Sequence, residues 1–577
     1  MNESVESVET VEAATEAAAR EGSGGRKLIA TAGIISIGQL LGSILGFLRT
    51  VVLNAFFFGT PSGAFVIALR PVQQVSDLIV SGGTVSGALI PTFVDYSAEE
   101  RKEDLRRVYS SVANLVLIIL AVATIGMIVG APYFVPILVP PGFGAGGQEL
   151  TITLVRIIAF SLFGLGLFAV TSGLLYALRE VVFPAFATGV YHISIMLCGI
   201  VALALAGRQF AVSWSDLTNP AVTTAAATQA HLASAHGLAI GAALGTLGEF
   251  LLLIPGLRRV RVVWRPVLDL RHPGVRQIMR LYVPLLAGLA ISIAQQVLDT
   301  YLWAHSPGGG AENSTALQTG TTLTQFPVGL VAAALSFAVL PVLATAANRA
   351  DKDDFKRTLR MGIRLGLLLM IPAAVGLYVL RAPIAGMLFQ HGTCDASCTY
   401  RNTLAIQNYA YELPFIVLDQ LLIVAFYARK NTLTPNLVLV ASIGFYLLVA
   451  LPFGLTIGLP ALAFADTAKN TSHAIILFVL LTFAIGNLGM RNLLGGVARI
   501  LLAAAVMGAI CWAALTFLPS LSAVFSQQHS SGQALTFLVA AVLGSAAYFV
   551  LLALLRVEEL RMVGGILRAR LGGRRSK

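Results

Sequence analysis

Long apolar runs alternate with short polar breaks along almost the whole chain. A helix needs about 20 apolar residues to cross a bilayer. Fourteen runs reach that length, at about 28–57, 65–94, 108–130, 152–177, 182–206, 237–257, 278–304, 315–345, 359–380, 404–428, 437–453, 459–485, 493–518 and 534–555. The pattern predicts an all-α polytopic membrane protein with both chain ends on one side. The first, second and eighth runs are long enough to tilt or bend.

Loop charge assigns the sides. Every second loop is basic, from Arg26/Lys27, Arg101/Lys102/Arg106/Arg107 and Arg179, through Arg258 to Arg276 and Arg349 to Arg357, to Arg429/Lys430, Arg491 and the Arg-rich end. The intervening loops are almost bare; 132–150 has no Lys or Arg. Cytoplasmic loops carry the Lys/Arg excess, so the basic loops and both termini are expected on the cytoplasmic side of the membrane.

The chain also repeats itself. Ala88–Tyr109 is similar to Ala338–Arg360, with Pro91 over Pro341, Lys102 over Lys352 and Arg107 over Arg357. A second match, Tyr176–Arg179 against Tyr427–Lys430, has nearly the same offset of about 250 residues. Span two falls on span eight and span four on span ten. An even step preserves orientation, so the halves are parallel repeats about an axis along the membrane normal. The expected organisation is a disordered tail (1–25), an N-lobe (26–257), a basic linker (258–276), a C-lobe (277–490), two further helices (491–556) and a basic tail (557–577).

Composition agrees. The 577 residues are 56% hydrophobic and 12% charged, with a mean hydropathy of +0.81. The net charge of +11 lies in short loops between spans. That distribution faces anionic lipid, not nucleic acid. The acidic, apolar-poor start lacks the layout of a signal peptide. No GxxxxGK[ST] loop, Cys/His zinc spacing or convergent carboxylate, His or Cys cluster occurs, so no cofactor or catalytic reaction is indicated. Cys198 and Cys511 lie in apolar runs and pack as small hydrophobes. Cys394 and Cys398 share an outward loop, where a local disulfide and two free thiols both remain open.

Charges inside membrane-length segments are costly and mark candidate sites. Arg49 ends span one; it either snorkels to the interface or presents a planar cation to an internal cavity. Arg70 and Asp77 are seven apart on span two, on one face of a polar stretch, PVQQVS. Asp299 and Gln325 repeat that picture on spans seven and eight. Gly82, Gly83, Pro91, Pro327 and Pro341 are candidate hinges. Arg156, Glu249, Arg364, Glu412, Asp419, Asp466 and Lys469 read as helix-end charges or helix–helix pairs.

The segments GQLLGSILGFLRTVVLNAFFFGTPSGAFVIALRPVQQV, GALIPTFVDY and QFPVGLVAAALSFAVLPVLA resemble the MurJ/MviN family, the lipid II flippases of the MOP exporter superfamily. The likeness covers about 28–555. It implies two six-helix lobes around a central cavity, and two more helices forming a groove for a lipid tail. It implies transport of a polyprenyl-pyrophosphate-linked glycan, in contact with membrane lipids and cell-wall synthesis proteins. A pyrophosphate-sugar headgroup cannot cross hydrocarbon unaided. Arg49 and Arg70 match basic positions of the family; Ser43, Gly63 and Thr322 stand where the family keeps charge. Some members bind sodium through spans seven and eleven. Asp299 is the candidate here, and 437–453 has no Asp or Asn. Alternatives are a flippase for another polyprenyl-linked glycan, a drug exporter of the same superfamily, and a transport-inactive scaffold for cell-wall synthesis. A flippase needs a cation reachable from the cavity; a drug exporter needs an acidic, aromatic one.

Overall fold

The computed structural model describes residues 40–80, 89–98, 101–219, 221–222, 224–308, 310–348, 352–429, 433–486, 488–517 and 530–557, with single residues at 34, 37, 38 and 431. The side chains of 76–80, 91, 281–293 and most of 330–350 are not among those described. The expected tails at 1–25 and 558–577 lie outside the described residues.

The described chain is helical throughout. The helices are α1 (Leu40–Phe57), α2 (Thr60–Val80), α3 (Ile90–Asp95), α4 (Lys102–Leu138), α5 (Gly144–Ile158), α6 (Ser161–Ala177), α7 (Val182–Gln209), α8 (Trp214–Leu217) and α9 (Ala225–Arg259). There follow α10 (Pro273–His305), α11 (Gly310–Asn348), α12 (Lys352–Val379), α13 (Arg381–Phe389), α14 (Ala396–Ala410) and α15 (Leu413–Ala428). The last are α16 (Leu433–Gly454), α17 (Leu459–Ile485), α18 (Met490–Phe517) and α19 (Ser530–Leu554).

Ten helices are long and apolar enough to cross a membrane, or eleven if the pair α14–α15, bent by 44°, is one span. That count is of the described residues, and side chains of α2, α10 and α11 lie partly outside them. Helices α2, α10 and α11 occupy the places of expected spans two, seven and eight. They carry the polar residues Arg70, Gln73, Gln74, Gln295, Asp299, Gln318 and Thr319.

Local chemistry starts and stops these elements. The Thr224 side chain accepts from Ala227 N to cap α9. His272 accepts from Gly274 N ahead of Pro273 in α10. Asp395 does the same for Cys398 N in α14. Each supplies an acceptor for an N–H that the first turn leaves open.

Apolar side chains face outward along the long helices: Val122, Ile125 and Val129 of α4 are 67%, 62% and 63% exposed. In a helix so apolar, that face is the lipid face. Inside, helices approach through small residues. A Cβ on Gly237 of α9 would lie 2.2 Å from Ala202 Cβ, and one on Gly241 2.7 Å from Ser194 O of α7. Such stripes let membrane helices pack backbone to backbone.

Packing follows the repeat. Helix α9 lies along α7, and α17 along α16; α6 packs on α4 and α2, and α15 on α12 and α11. Each pairing recurs one repeat later. The two sets meet where α2 lies against α11, while α18 packs on α12 and α19 on α18.

Candidate functional site

The meeting of α1, α2 and α11 forms a narrow cleft. Arg49 and Asn54 line it from α1, Leu69 and Gln73 from α2, and Gln318 and Thr319 from α11. Its free space is about 20 Å³, room for roughly one water. Arg49 is only 8% exposed, and its Nε has no hydrogen-bond partner among the described residues. It therefore lies within protein and not at a lipid interface.

Arg70 of α2 adjoins the cleft through Gln318. Its Nη2 donates to Gln318 Oε1 at 2.9 Å. Its guanidinium lies over the Trp303 ring, 3.9 Å from the centroid. Both partners are neutral, and no ion pair engages Arg70 among the described residues. A hydrogen bond and a ring face orient the cation without cancelling its charge. That leaves it able to meet an anion.

Asp299 lies one helical turn before Trp303 on α10. Its Oδ2 accepts from Gln295 Nε2 at 3.2 Å, and its Oδ1 is buried without a partner. Asp466 and Lys469 of α17 lie within electrostatic reach of it. They neutralise each other, Nζ to Oδ1 at 3.1 Å, while Tyr409 OH donates to Asp466 Oδ2 at 3.1 Å. Glu412 accepts from Asn470 at 2.8 Å, and His473 pairs with Asp419 at 2.5 Å. Asp466 and Lys469 pair within α17, as their spacing predicts, while Asn470 and His473 of α17 reach across to Glu412 and Asp419. No group of three His, Cys, Asp or Glu converges on Asp299 among the described residues.

The cleft is closed at the end away from the basic loops. Asn54 Nδ2 donates to Thr319 Oγ1 at 3.0 Å, and Asn54 Oδ1 accepts from Asn402 Nδ2 of α14 at 3.0 Å. Thr393 N donates to Ala55 O at 2.7 Å, and Phe58 N to Thr393 Oγ1 at 3.1 Å. Ser62 and Thr315 hydroxyls meet at 3.1 Å. Gly392, at φ +58°, lets the chain come this close; a Cβ there would lie 1.9 Å from Ala55 O. Cys394 and Cys398 form a disulfide, Cα to Cα 5.2 Å, beside this latch. The Cys398 sulfur lies 3.7 Å from Asn54 Oδ1.

The structure thus brings Arg49 and Arg70 to adjoining parts of one interface. Gln325 is exposed on α11, seven residues beyond Gln318 and on the same helical face. The Asp77 side chain, Gly82 and Gly83 lie outside the described residues. So does the side chain of Pro341. Pro91 opens α3, where a proline costs no hydrogen bond. Helix α11 runs unbroken through Pro327 and Pro341.

Sequence reasoning passed over Gln318, Trp303, Asn54 and Asn402. Only the Gln/Thr stripe of α11 signalled the first. The departures from the family pattern have local reasons at two positions. Gly63 lies so near α11 that a Cβ would meet Ala311 Cβ at 2.5 Å. Thr322 turns its hydroxyl back to Gln318 O at 2.8 Å.

Known proteins share this arrangement. The family model described as lipid II flippase MurJ matches residues 52–551. A Burkholderia cenocepacia protein described as lipid II flippase MurJ is 26% identical over 406 residues, 69% of this chain and 72% of its own length. A Vibrio cholerae protein described as "Probable lipid II flippase MurJ" is 27% identical over 548 residues, 92% of this chain and 97% of its own. Among solved structures, lipid II flippase MurJ in an inward closed conformation superposes with a TM-score of 0.69 at 19% identity, covering 90% of this chain and 98% of that one. An inward-facing MATE transporter of the MOP superfamily reaches 0.52 at 16% identity, covering 80% and 95%.

Proposed function

The chain belongs to the lipid II flippase MurJ family, and on that premise we propose that it carries lipid II from the inner to the outer leaflet of the bacterial cytoplasmic membrane. The basic loops and both termini then face the cytoplasm, and the Asn54 latch faces outward. The prenyl tail stays in lipid while the pyrophosphate and sugars pass between the lobes.

The observation that carries this reading is Arg70, a cation oriented by Gln318 and Trp303, in no direct ion pair among the described residues, with Asp299 within electrostatic reach. A pyrophosphate is the anion class that Arg49 and Arg70 would take: permanent charge and planar donors favour phosphate oxygens. A scaffold would need neither cation. A drug exporter would use free carboxylates; Asp466, Asp419 and Glu412 are engaged within the C-terminal helices, which leaves Asp299, within electrostatic reach of Arg70. The cleft as it stands has no room for the headgroup. Loading and release therefore require the lobes to part, first at one end and then at the other.

The test is to deplete a cell's own flippase and supply this chain. Outer-leaflet lipid II is expected to be restored, and to be lost with Arg49→Ala or Arg70→Gln at unchanged membrane levels. Failure of the unaltered chain, at good membrane expression, would sink the proposal.

A further inference from the structure

A second cationic site lies at the end of the bundle that carries the basic loops, apart from the cleft. On α12, Lys356, Arg360 and Arg364 recur every fourth residue and share one face. That face looks onto the turn between α17 and α18. A Cβ on Gly486 would sit 3.4 Å from Lys356 Nζ, one on Gly489 3.0 Å from the Arg360 guanidinium carbon, and one on Gly496 2.9 Å from Arg364 Nε. Gly486 and Gly489 have φ of +83° and +73°, which glycine alone adopts freely. Gly486 and Gly489 thus leave space that a side chain at either position would fill. Asp353, Lys356, Arg357, Arg360 and Gly489 line an open surface pocket of about 440 Å³, three cations against one carboxylate. Arg360 Nε is buried without a hydrogen-bond partner among the described residues. The positive end of α18 adds to the same field.

The internal repeat supplies a control. At the 250-residue offset, Lys356, Arg357, Arg360 and Arg364 correspond to Arg106, Arg107, Ser110 and Asn114. All four N-lobe residues are used by the linker that follows α9. Arg106 Nη2 donates to Arg261 O at 2.8 Å, and Arg107 pairs with Asp269 at 3.1 Å. Ser110 Oγ accepts from Arg265 N at 3.0 Å, and Asn114 donates to Arg265 O and Val267 O at 3.0 and 2.8 Å. In the C-terminal half the segment after α17 is a short glycine turn with no carboxylate. The Ser and Asn that hold the linker are replaced by two arginines. Where the linker backbone covers these positions in one half, Lys356, Arg357 and Arg360 border an open pocket in the other.

We propose that Lys356, Arg357 and Arg360, facing the Gly486–Gly489 turn, bind the phosphate of a membrane lipid headgroup. The row from Lys356 to Arg364 descends about 12 Å along a helix that starts at the membrane surface, the depth range of headgroups. Basic pockets between membrane helices bind such headgroups, and guanidinium groups match phosphate oxygens. The phosphate comes from an anionic phospholipid or from a prenyl pyrophosphate. The inference rests on the membrane placement above, not on which lipid is moved.

Binding by the full-length chain in neutral detergent separates these sources. The probes are cardiolipin, undecaprenyl pyrophosphate and inorganic pyrophosphate, read by native mass spectrometry. At least one lipid is expected to bind, with an affinity that falls by about tenfold or more in Lys356→Gln/Arg360→Gln. Lys356→Arg/Arg360→Lys should stay within a few-fold, and Arg106→Gln should leave lipid affinity unchanged. Cardiolipin alone would identify a bilayer lipid site; undecaprenyl pyrophosphate alone, a substrate site. Inorganic pyrophosphate binding as tightly as either lipid would overturn the lipid assignment. So would lipid affinity indifferent to the Gln variant. Because no transport is measured, failure here is distinct from failure of the flippase reading.

Discussion

Asn54→Ala isolates the closure of the outer end. The Asn54 amide makes two hydrogen bonds between helices of opposite halves, to Thr319 Oγ1 and from Asn402 Nδ2, both at 3.0 Å. Its third, to Thr50 O at 2.9 Å, stays within α1 and survives lobe separation. Asn54 is fully buried, so neither partner finds water when the latch is shut. Each lost bond costs about 0.5–1.5 kcal/mol net. The closed state should therefore lose about 1–3 kcal/mol relative to a state with the lobes parted, a shift in population ratio of roughly 5- to 150-fold. Spin labels on Ser215 and Tyr400, both exposed at that end, would report the distance distribution by pulsed electron resonance. A longer-distance population should grow in Asn54→Ala. Asn402→Ala should reproduce much of the effect, and the double variant should be less than additive because the two share a bond. An unchanged distribution in Asn54→Ala would refute the idea that this latch controls the outer end.

Three further outcomes follow from the same geometry. Arg70→Lys keeps the charge but loses the planar fork over Trp303, so transport should fall less than in Arg70→Gln, whose loss of about 1.5–3 kcal/mol predicts a drop of about 10- to 150-fold in single-turnover flipping assays; equal losses would mean shape, not charge, matters there. Gly63→Ala forces a methyl to 2.5 Å from Ala311 Cβ and should destabilise by about 1–3 kcal/mol, read as a lower unfolding temperature in detergent. Cys394→Ser/Cys398→Ser opens a loop whose cysteines are four residues apart and should cost about 2 kcal/mol by loop entropy; the labels on Ser215 and Tyr400 would also show whether the neighbouring latch loosens.

Much of the fold was legible because bilayer crossing imposes a length and a composition on every span. Ten or eleven of the described helices qualify as spans, and the loop charges and the 250-residue repeat could be read without coordinates. In α2, α10 and α11 the polar residues Arg70, Asp299 and Gln318 interrupt apolar runs of membrane-crossing length. The charges themselves were visible too, since Arg49, Arg70 and Asp299 stand out in apolar runs.

What only the tertiary structure decided is which charges are cancelled. Asp466 and Lys469 signal their pairing by spacing alone, because one helix sets their distance. Arg70 and Gln318 are 248 residues apart and meet only because α2 packs on α11. Arg364 read as an ordinary helix charge until α18 brought Gly496 against it. The opening stretch of the chain thus announces its cations, but a cation's role depends on its neighbours in space, and periodicity reports only the neighbours along one helix.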